Sequence, residues 1–251
     1  MTKLVVLGSA NAVTSPHHEN THLAIIGAEH TLLVDSPGNP LVRLKNLGVS
    51  PDSISDLVLT HFHPDHASGV PLFLMDLWLL GRQKPLQIHG LGYTIERVHK
   101  MLDLYNWQRW PGFYPVTFHT LPDEEMTPVV DRGDFRVFAS PVKHLVPNIG
   151  VRVEFPASDK VLAYSSDTEP CQQVVHLAQG ADVLIHEAAG AATGHTSPRQ
   201  AGQVAREAEV NSLYLIHYAC WDIDPQPFIS QAKETFPGNV DLAVDLMEIE
   251  F

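Results

Sequence analysis

The chain has 251 residues, of which 44% are hydrophobic and 18% charged. That is enough apolar material for a large buried core, which excludes a disulfide-held miniprotein and a disordered polymer. Sixteen Lys and Arg against 29 Asp and Glu give a formal charge of −13, so the surface repels polyanions unless a local positive focus, such as bound metal, intervenes.

The two cysteines, Cys171 and Cys220, are too few for a disulfide framework and suit a reducing compartment. The apolar run at residues 4–7 breaks at Gly8 and is too short for a secretory signal. The longest apolar stretch, residues 70–80, contains Pro71 and Asp76 and does not span a bilayer. A soluble, cytoplasmic protein with no membrane contact is expected. No repeat or long linker interrupts residues 1–251, so a single domain is expected.

In chain order, β-rich runs fall at residues 4–7, 23–26, 31–35, 57–60, 86–89, 135–139, 151–155, 161–164, 183–186 and 213–217. Helical patterns fall between some of them. Residues 40–47 carry Leu41, Leu44 and Leu47, and residues 197–209 open with Ser197 as cap and Pro198 in the first turn. Residues 171–178 and 227–235 read as two more helices. Strands come first and then alternate with helices, an α/β (α+β) order in which two packed sheets carry helices on their outer faces. The aromatic segment 105–115 lacks periodicity and reads as a loop folded over the core, with a substrate lid or dimer contact as the alternative.

Histidine is the unusual component, with 15 in the chain. After the run at 57–60 comes His61-Phe62-His63-Pro64-Asp65-His66. In an extended segment His61 and His63 point to one side and reach one ion together. Pro64 turns the chain, so Asp65 and His66 face a second ion; imidazole and carboxylate both suit zinc at about 2.0–2.2 Å. Further ligands have to arrive from elsewhere, and His144, Asp167 and His217 each follow an apolar strand. Neighbouring strands deliver side chains to one sheet edge, which is where active sites are commonly built.

These residues carry a resemblance. With Leu7-Gly8-Ser9, Leu33-Val34-Asp35, Ile88-His89-Gly90, Asn148-Ile149-Gly150, Ile185-His186-Glu187-Ala188 and Gly194-His195-Thr196, the chain resembles the metallo-β-lactamase superfamily, and within it the ribonuclease Z branch of tRNA 3′-processing endonucleases. The resemblance implies a four-layer αββα sandwich and a hydrolase of phosphodiester bonds whose nucleophile is a metal-bound hydroxide. It places His61, His63 and His144 on one zinc, Asp65, His66 and His217 on the other, and Asp167 between the two. Manganese or iron also suits these ligands. It further implies that Asp65 orients or deprotonates the nucleophile, that His195 protonates the leaving oxygen, and that Glu187 orients His195. Related enzymes often dimerise, so a homodimer is expected.

One departure bears on substrate. Ribonuclease Z carries a long arm that grips tRNA, commonly between the third metal histidine and the bridging aspartate, yet His144 and Asp167 are here only 23 residues apart. RNA remains a candidate substrate without that arm. An arylsulfatase-like or cyclic-nucleotide phosphodiesterase acting on a small ester is the alternative, and a non-catalytic binding module of the same fold ranks below both. His186 is expected to point away from Glu187, and His89 and the remaining histidines to be surface or structural. Tyr218 and Trp221 read as core, with stacking on a base or aryl group as the alternative. Lys143, Arg152 and Arg199 are the basic residues nearest the motifs and candidates for contacting phosphate.

Overall fold

The computed structural model describes residues 2–251. In chain order the strands are β1 (Lys3–Gly8), β2 (His22–Ile26), β3 (Thr31–Val34), β4 (Ile54–Val58), β5 (Leu86–Leu91), β6 (Val116–Leu121), β7 (Thr127–Asp131), β8 (Arg136–Val142), β9 (Asn148–Phe155), β10 (Lys160–Tyr164), β11 (Val183–Glu187), β12 (Ser212–Ile216), β13 (Asn239–Leu242) and β14 (Glu248–Glu250). The helices are α1 (Leu41–Asn46), α2 (Pro64–Ala67), α3 (Val70–Leu79), α4 (Gly92–Asp103), α5 (Gln172–Ala178), α6 (Pro198–Glu207) and α7 (Gln226–Lys233).

Two seven-stranded sheets result, ordered β14-β1-β2-β3-β4-β5-β6 and β13-β12-β11-β10-β9-β8-β7. Alternation along each strand divides its side chains between two layers. It is clearest in β1, where Leu4 and Val6 enter the layer between the sheets while Val5 and Leu7 pack outward. The outer layer of the first sheet is closed by α1, α3 and α4 through Leu44, Phe73, Leu77 and Val98. The outer layer of the second is closed by α5, α6 and α7 through Val174, Ala201, Val204 and Ala232. The expected four-layer order is therefore present.

Every strand and helix expected from the sequence has a counterpart, with shifted bounds. The run at 57–60 is the most displaced: β4 starts at Ile54, and Leu59 and Thr60 lie beyond it. The chain also contains elements that the pattern did not reveal. Strands β6, β7, β13 and β14 sit at or beside sheet edges and are partly exposed, so their apolar alternation is weak. Helix α3 is the apolar stretch with Pro71 in its first turn, where its missing N–H costs nothing. The aromatic segment is a loop with one 3₁₀ turn at Trp107–Arg109. Its rings contact α3 and one another: Trp110 stacks on Trp78 at 5.3 Å, and Trp78 Nε1 donates to the Pro111 carbonyl.

One polar cluster interrupts the layer between the sheets. Asp56 of β4 is fully buried and accepts from Arg132 Nε and Nη2 at 2.8 Å, from His89 at 3.1 Å and from Ser55 at 2.7 Å. Burial pushes this carboxyl up, but the hydrogen bonds from His89, Arg132 and Ser55 outweigh it and hold the group at about 2. A carboxyl depressed in the folded state stabilises it above the unfolded value of 3.8 and loses that contribution as pH falls toward about 2. Asp56→Asn is therefore expected to destabilise the fold by roughly 2–3 kcal/mol at pH 7. Urea unfolding at pH 7 and pH 3 measures this; the gap between the two proteins shrinks at the lower pH.

Candidate metal centre

Strands β3, β4, β8, β10, β11 and β12 end at one rim of the sandwich, and the loops that leave them carry the site. Their turns are sharp. Asp35 (φ 66°), Ser166 (φ 54°) and His217 (φ 54°), each just beyond a strand, adopt left-handed backbone that non-glycine residues rarely enter. Such conformations cost on the order of 1–3 kcal/mol each and persist where the surroundings impose them. His217 is held by its N–H, which donates to the Ser9 carbonyl at 2.9 Å.

The first group is His61, His63 and His144. His63 Nδ1 lies 3.1 Å from His61 Nε2 and 3.2 Å from His144 Nε2. The opposite nitrogens face acceptors or partners of their own: His144 Nδ1 contacts the Gly194 carbonyl at 2.7 Å and His61 Nδ1 contacts Thr60 Oγ1 at 3.0 Å. The second group is Asp65, His66, Asp167 and His217. Asp167 Oδ2 stands 3.5 Å from His66 Nε2 and 3.4 Å from His217 Nε2, while Asp65 Oδ2 is 3.5 Å from the latter. Asp167 Oδ2 also reaches to 3.9 Å from His61 Nε2, which places this carboxylate between the groups.

Burial and neighbouring charges together set the protonation states. Burial pushes His61 well below its usual range, and lowers His63 and His144 as well, so lone pairs rather than protons are favoured at these nitrogens. Burial pushes the Asp167 carboxyl up, but His217, His66 and His61 around it hold the group well below the usual carboxylate range. His66 is the exception: burial disfavours its charge, yet Asp167 and Asp35 raise it well above 6.5.

The donor set fits divalent cations. Among the described residues His66 Nε2 and Asp167 Oδ1 are buried side-chain atoms without a hydrogen-bond partner, a costly state that a coordinated ion relieves. Tetrahedral coordination at 2.0–2.1 Å requires ligand atoms about 3.3–3.4 Å apart, close to the separations of 3.1–3.7 Å between neighbouring ligand atoms in the two groups.

Beside the metal groups lies the His195–Glu187 pair. His195 Nδ1 is 3.0 Å from Glu187 Oε1, and its ring is near parallel to His217 at 5.8 Å between centroids. Glu187 is fully buried at the end of β11 and also accepts N–H bonds from Thr168, Ala189 and Thr196 at 2.8–3.1 Å. Burial raises the Glu187 carboxyl, and the hydrogen bond to Glu187 raises His195.

The seven ligand candidates meet at this rim together with His195 and Glu187. Sequence reasoning passed over Asp35 as a contributor to the site. Its carboxylate accepts from Thr60 N and Oγ1 and contacts His66 Nδ1, all at 2.8 Å, so it orients one metal-facing imidazole. The Leu33-Val34-Asp35 motif contained that signal without showing the contact. His186 is fully buried with its Nδ1 2.9 Å from the Glu187 carbonyl, and burial lowers it to about 4. Tyr218 is core, its hydroxyl donating to the Ala243 carbonyl, whereas Trp221, also expected in the core, is exposed. Arg152 is spent on Glu154 and the carbonyls of Leu177 and Gln179, Arg199 pairs with Glu234 and Lys143 pairs with Glu169, so all three basic candidates are engaged elsewhere and none is assigned to phosphate.

The family described as the beta-lactamase superfamily domain matches residues 30–218, a span that contains every residue of the centre. The chain belongs to that superfamily. Ribonuclease Z of Methanothermobacter thermautotrophicus is 26% identical over 307 aligned residues, covering 100% of this chain and 97% of that protein. An alignment of 307 positions to a chain of 251 residues leaves about 56 positions at which the relative has residues and this chain has none. Among solved structures, the metallo-β-lactamase fold protein YhfI from Bacillus subtilis superposes with a TM-score of 0.83 at 20% identity, covering 100% of this chain and 99% of that one. The human tRNase Z short form superposes with a TM-score of 0.77 at 22% identity, covering 99% and 98%. The fold is the metallo-β-lactamase sandwich.

Proposed function

We propose that this chain is a metal-dependent hydrolase that cleaves phosphodiester bonds. The observation that carries the reading is the adjacency of two ligand groups, joined by Asp167, to a histidine whose proton affinity is raised by a buried carboxylate. His61, His63 and His144 would hold one zinc ion, Asp65, His66 and His217 the second, and Asp167 both. Two such cations lower the pKa of a coordinated water and offset charge on phosphoryl oxygens.

The protein groups supply the rest. Burial pushes the Asp65 carboxyl up, but His217 and His66 hold it below the usual carboxylate range. It is therefore ionised at neutral pH and positioned to orient water or accept its proton. The water oxygen then bonds to phosphorus while the bond to the leaving oxygen breaks. His195, protonated, gives its Nε2 proton to that oxygen, and Glu187 stabilises the charged imidazole until the transfer. Relatives named ribonuclease Z support this choice of bond.

The substrate is a separate matter. The 23-residue spacing of His144 and Asp167, the shorter chain and the charge of −13 favour a small phosphodiester over intact precursor tRNA, with a cyclic nucleotide or aryl sulfate as the second reading. The protein is proposed to act in the cytoplasm as a homodimer. Hydrolysis of bis(p-nitrophenyl) phosphate, cyclic AMP, p-nitrophenyl sulfate and a precursor tRNA is to be measured side by side. Bis(p-nitrophenyl) phosphate is expected to turn over and the sulfate and intact precursor tRNA to resist; turnover of the sulfate alone would overturn the proposal. Elemental analysis of protein purified without chelator is expected to find two zinc equivalents per chain.

A further inference from the structure

The loop that carries His195 is anchored at its base, where Ala189 N and Thr196 N donate to the Glu187 carboxylate and Thr196 Oγ1 donates to the Thr168 carbonyl. Residues 188–197 form no helix or strand, Ala191, Ala192 and Thr193 are exposed, and the bonds of Ala192 N and His195 N are made within the loop itself. On the side of His144 the loop is attached through Gly194. The Gly194 carbonyl accepts from His144 Nδ1 at 2.7 Å, and its N–H donates to Glu169 Oε1 at 3.0 Å. Gly194 has φ +83°, and a Cβ there would stand 3.0 Å from His144 Nδ1, so the approach is one that only glycine makes without strain.

Glu169 is held in turn. Its other carboxylate oxygen pairs with Lys143 Nζ at 2.6 Å, and its N–H donates to the Lys143 carbonyl at 2.8 Å. Lys143 precedes His144, Glu169 follows Asp167 by two residues, and Gly194 precedes His195. Three chain segments that deliver three groups of the centre therefore meet on one side chain.

We infer that Glu169 is a positioning residue that seats the His195 loop over the centre by accepting the Gly194 N–H. This rests on the proposed role of His195 as proton donor. The contact needs an acceptor oxygen and not a charge, which separates it from any general electrostatic effect of the Lys143–Glu169 ion pair. Glu169→Gln keeps the acceptor, Lys143→Met removes only the ion pair, and Glu169→Ala removes both.

The test compares two phosphodiesters. The p-nitrophenolate of bis(p-nitrophenyl) phosphate leaves without a proton, whereas the alkoxide of the dinucleotide UpU requires one. Glu169→Ala is expected to lower kcat on UpU by about 10- to 100-fold, part of the 10²–10⁴ that a general acid supplies, and to change the aryl ester by less than about 3-fold. Glu169→Gln and Lys143→Met are expected to stay close to the parent on both. In metal-free protein, hydrogen–deuterium exchange across residues 190–196 is expected to accelerate in Glu169→Ala and not in Glu169→Gln. Equal behaviour of the alanine and glutamine variants in kinetics and exchange overturns the inference. His195→Ala serves as the reference: if it spares UpU, the acid role itself fails. If it lowers UpU selectively and Glu169→Ala does not, the inference about Glu169 fails alone.

Discussion

Asp167→Asn is expected to lower kcat/KM on bis(p-nitrophenyl) phosphate by about 10³–10⁴-fold and to leave the protein with fewer than two metal equivalents. Asp167 Oδ2 lies 3.4 Å from His217, 3.5 Å from His66 and 3.9 Å from His61, so one carboxylate serves both ligand groups. Asparagine is neutral and presents one oxygen. Even with that oxygen in the Oδ2 position it does not offset the charge of two cations. A metal's contribution to charge stabilisation is several kcal/mol, and each 1.36 kcal/mol is tenfold in rate. Steady-state kinetics with elemental analysis checks both halves; a variant with two equivalents and near-parental rates would remove the bridging role. Asp35→Asn touches the same centre only through His66 and Thr60. Its effect is expected to be smaller, about 10–100-fold in metal affinity.

His195→Ala is the second large effect, and it is selective. Loss of a general acid costs about 10²–10⁴-fold when the leaving group needs a proton, so UpU suffers and bis(p-nitrophenyl) phosphate is nearly spared. The pH profile carries the complementary signature. The hydrogen bond to Glu187 raises His195, so its protonated form extends to higher pH, and kcat on UpU falls as pH rises through the raised value. Glu187→Gln removes the charge that sustains the imidazolium and is expected to move that basic limb to lower pH. Because Glu187 also accepts three backbone N–H bonds at 2.8–3.1 Å, thermal unfolding accompanies the kinetics to separate a shifted limb from a loosened loop. A basic limb that stays in place in a folded Glu187→Gln protein would take Glu187 out of the mechanism.

The chemistry was written locally and its assembly was not. His61-Phe62-His63-Pro64-Asp65-His66 needs only strand periodicity and a proline turn to aim its ligands, and both operate within six residues. The positions of His144, Asp167 and His217 beyond apolar strands likewise followed from the hydrophobic pattern, because buried strands bring their ends to a common rim. The edge strands β6, β7, β13 and β14 escaped detection because a half-exposed strand needs no strict apolar alternation. Contacts between distant residues were equally invisible: Asp35 under His66, Asp56 clasped by His89 and Arg132, and Glu169 against Gly194 span 25 to 76 residues of chain. Residue type and spacing determine what a local segment is able to coordinate. Only packing determines which carboxylate stands behind which imidazole, and which strand end is forced into left-handed backbone to complete the site.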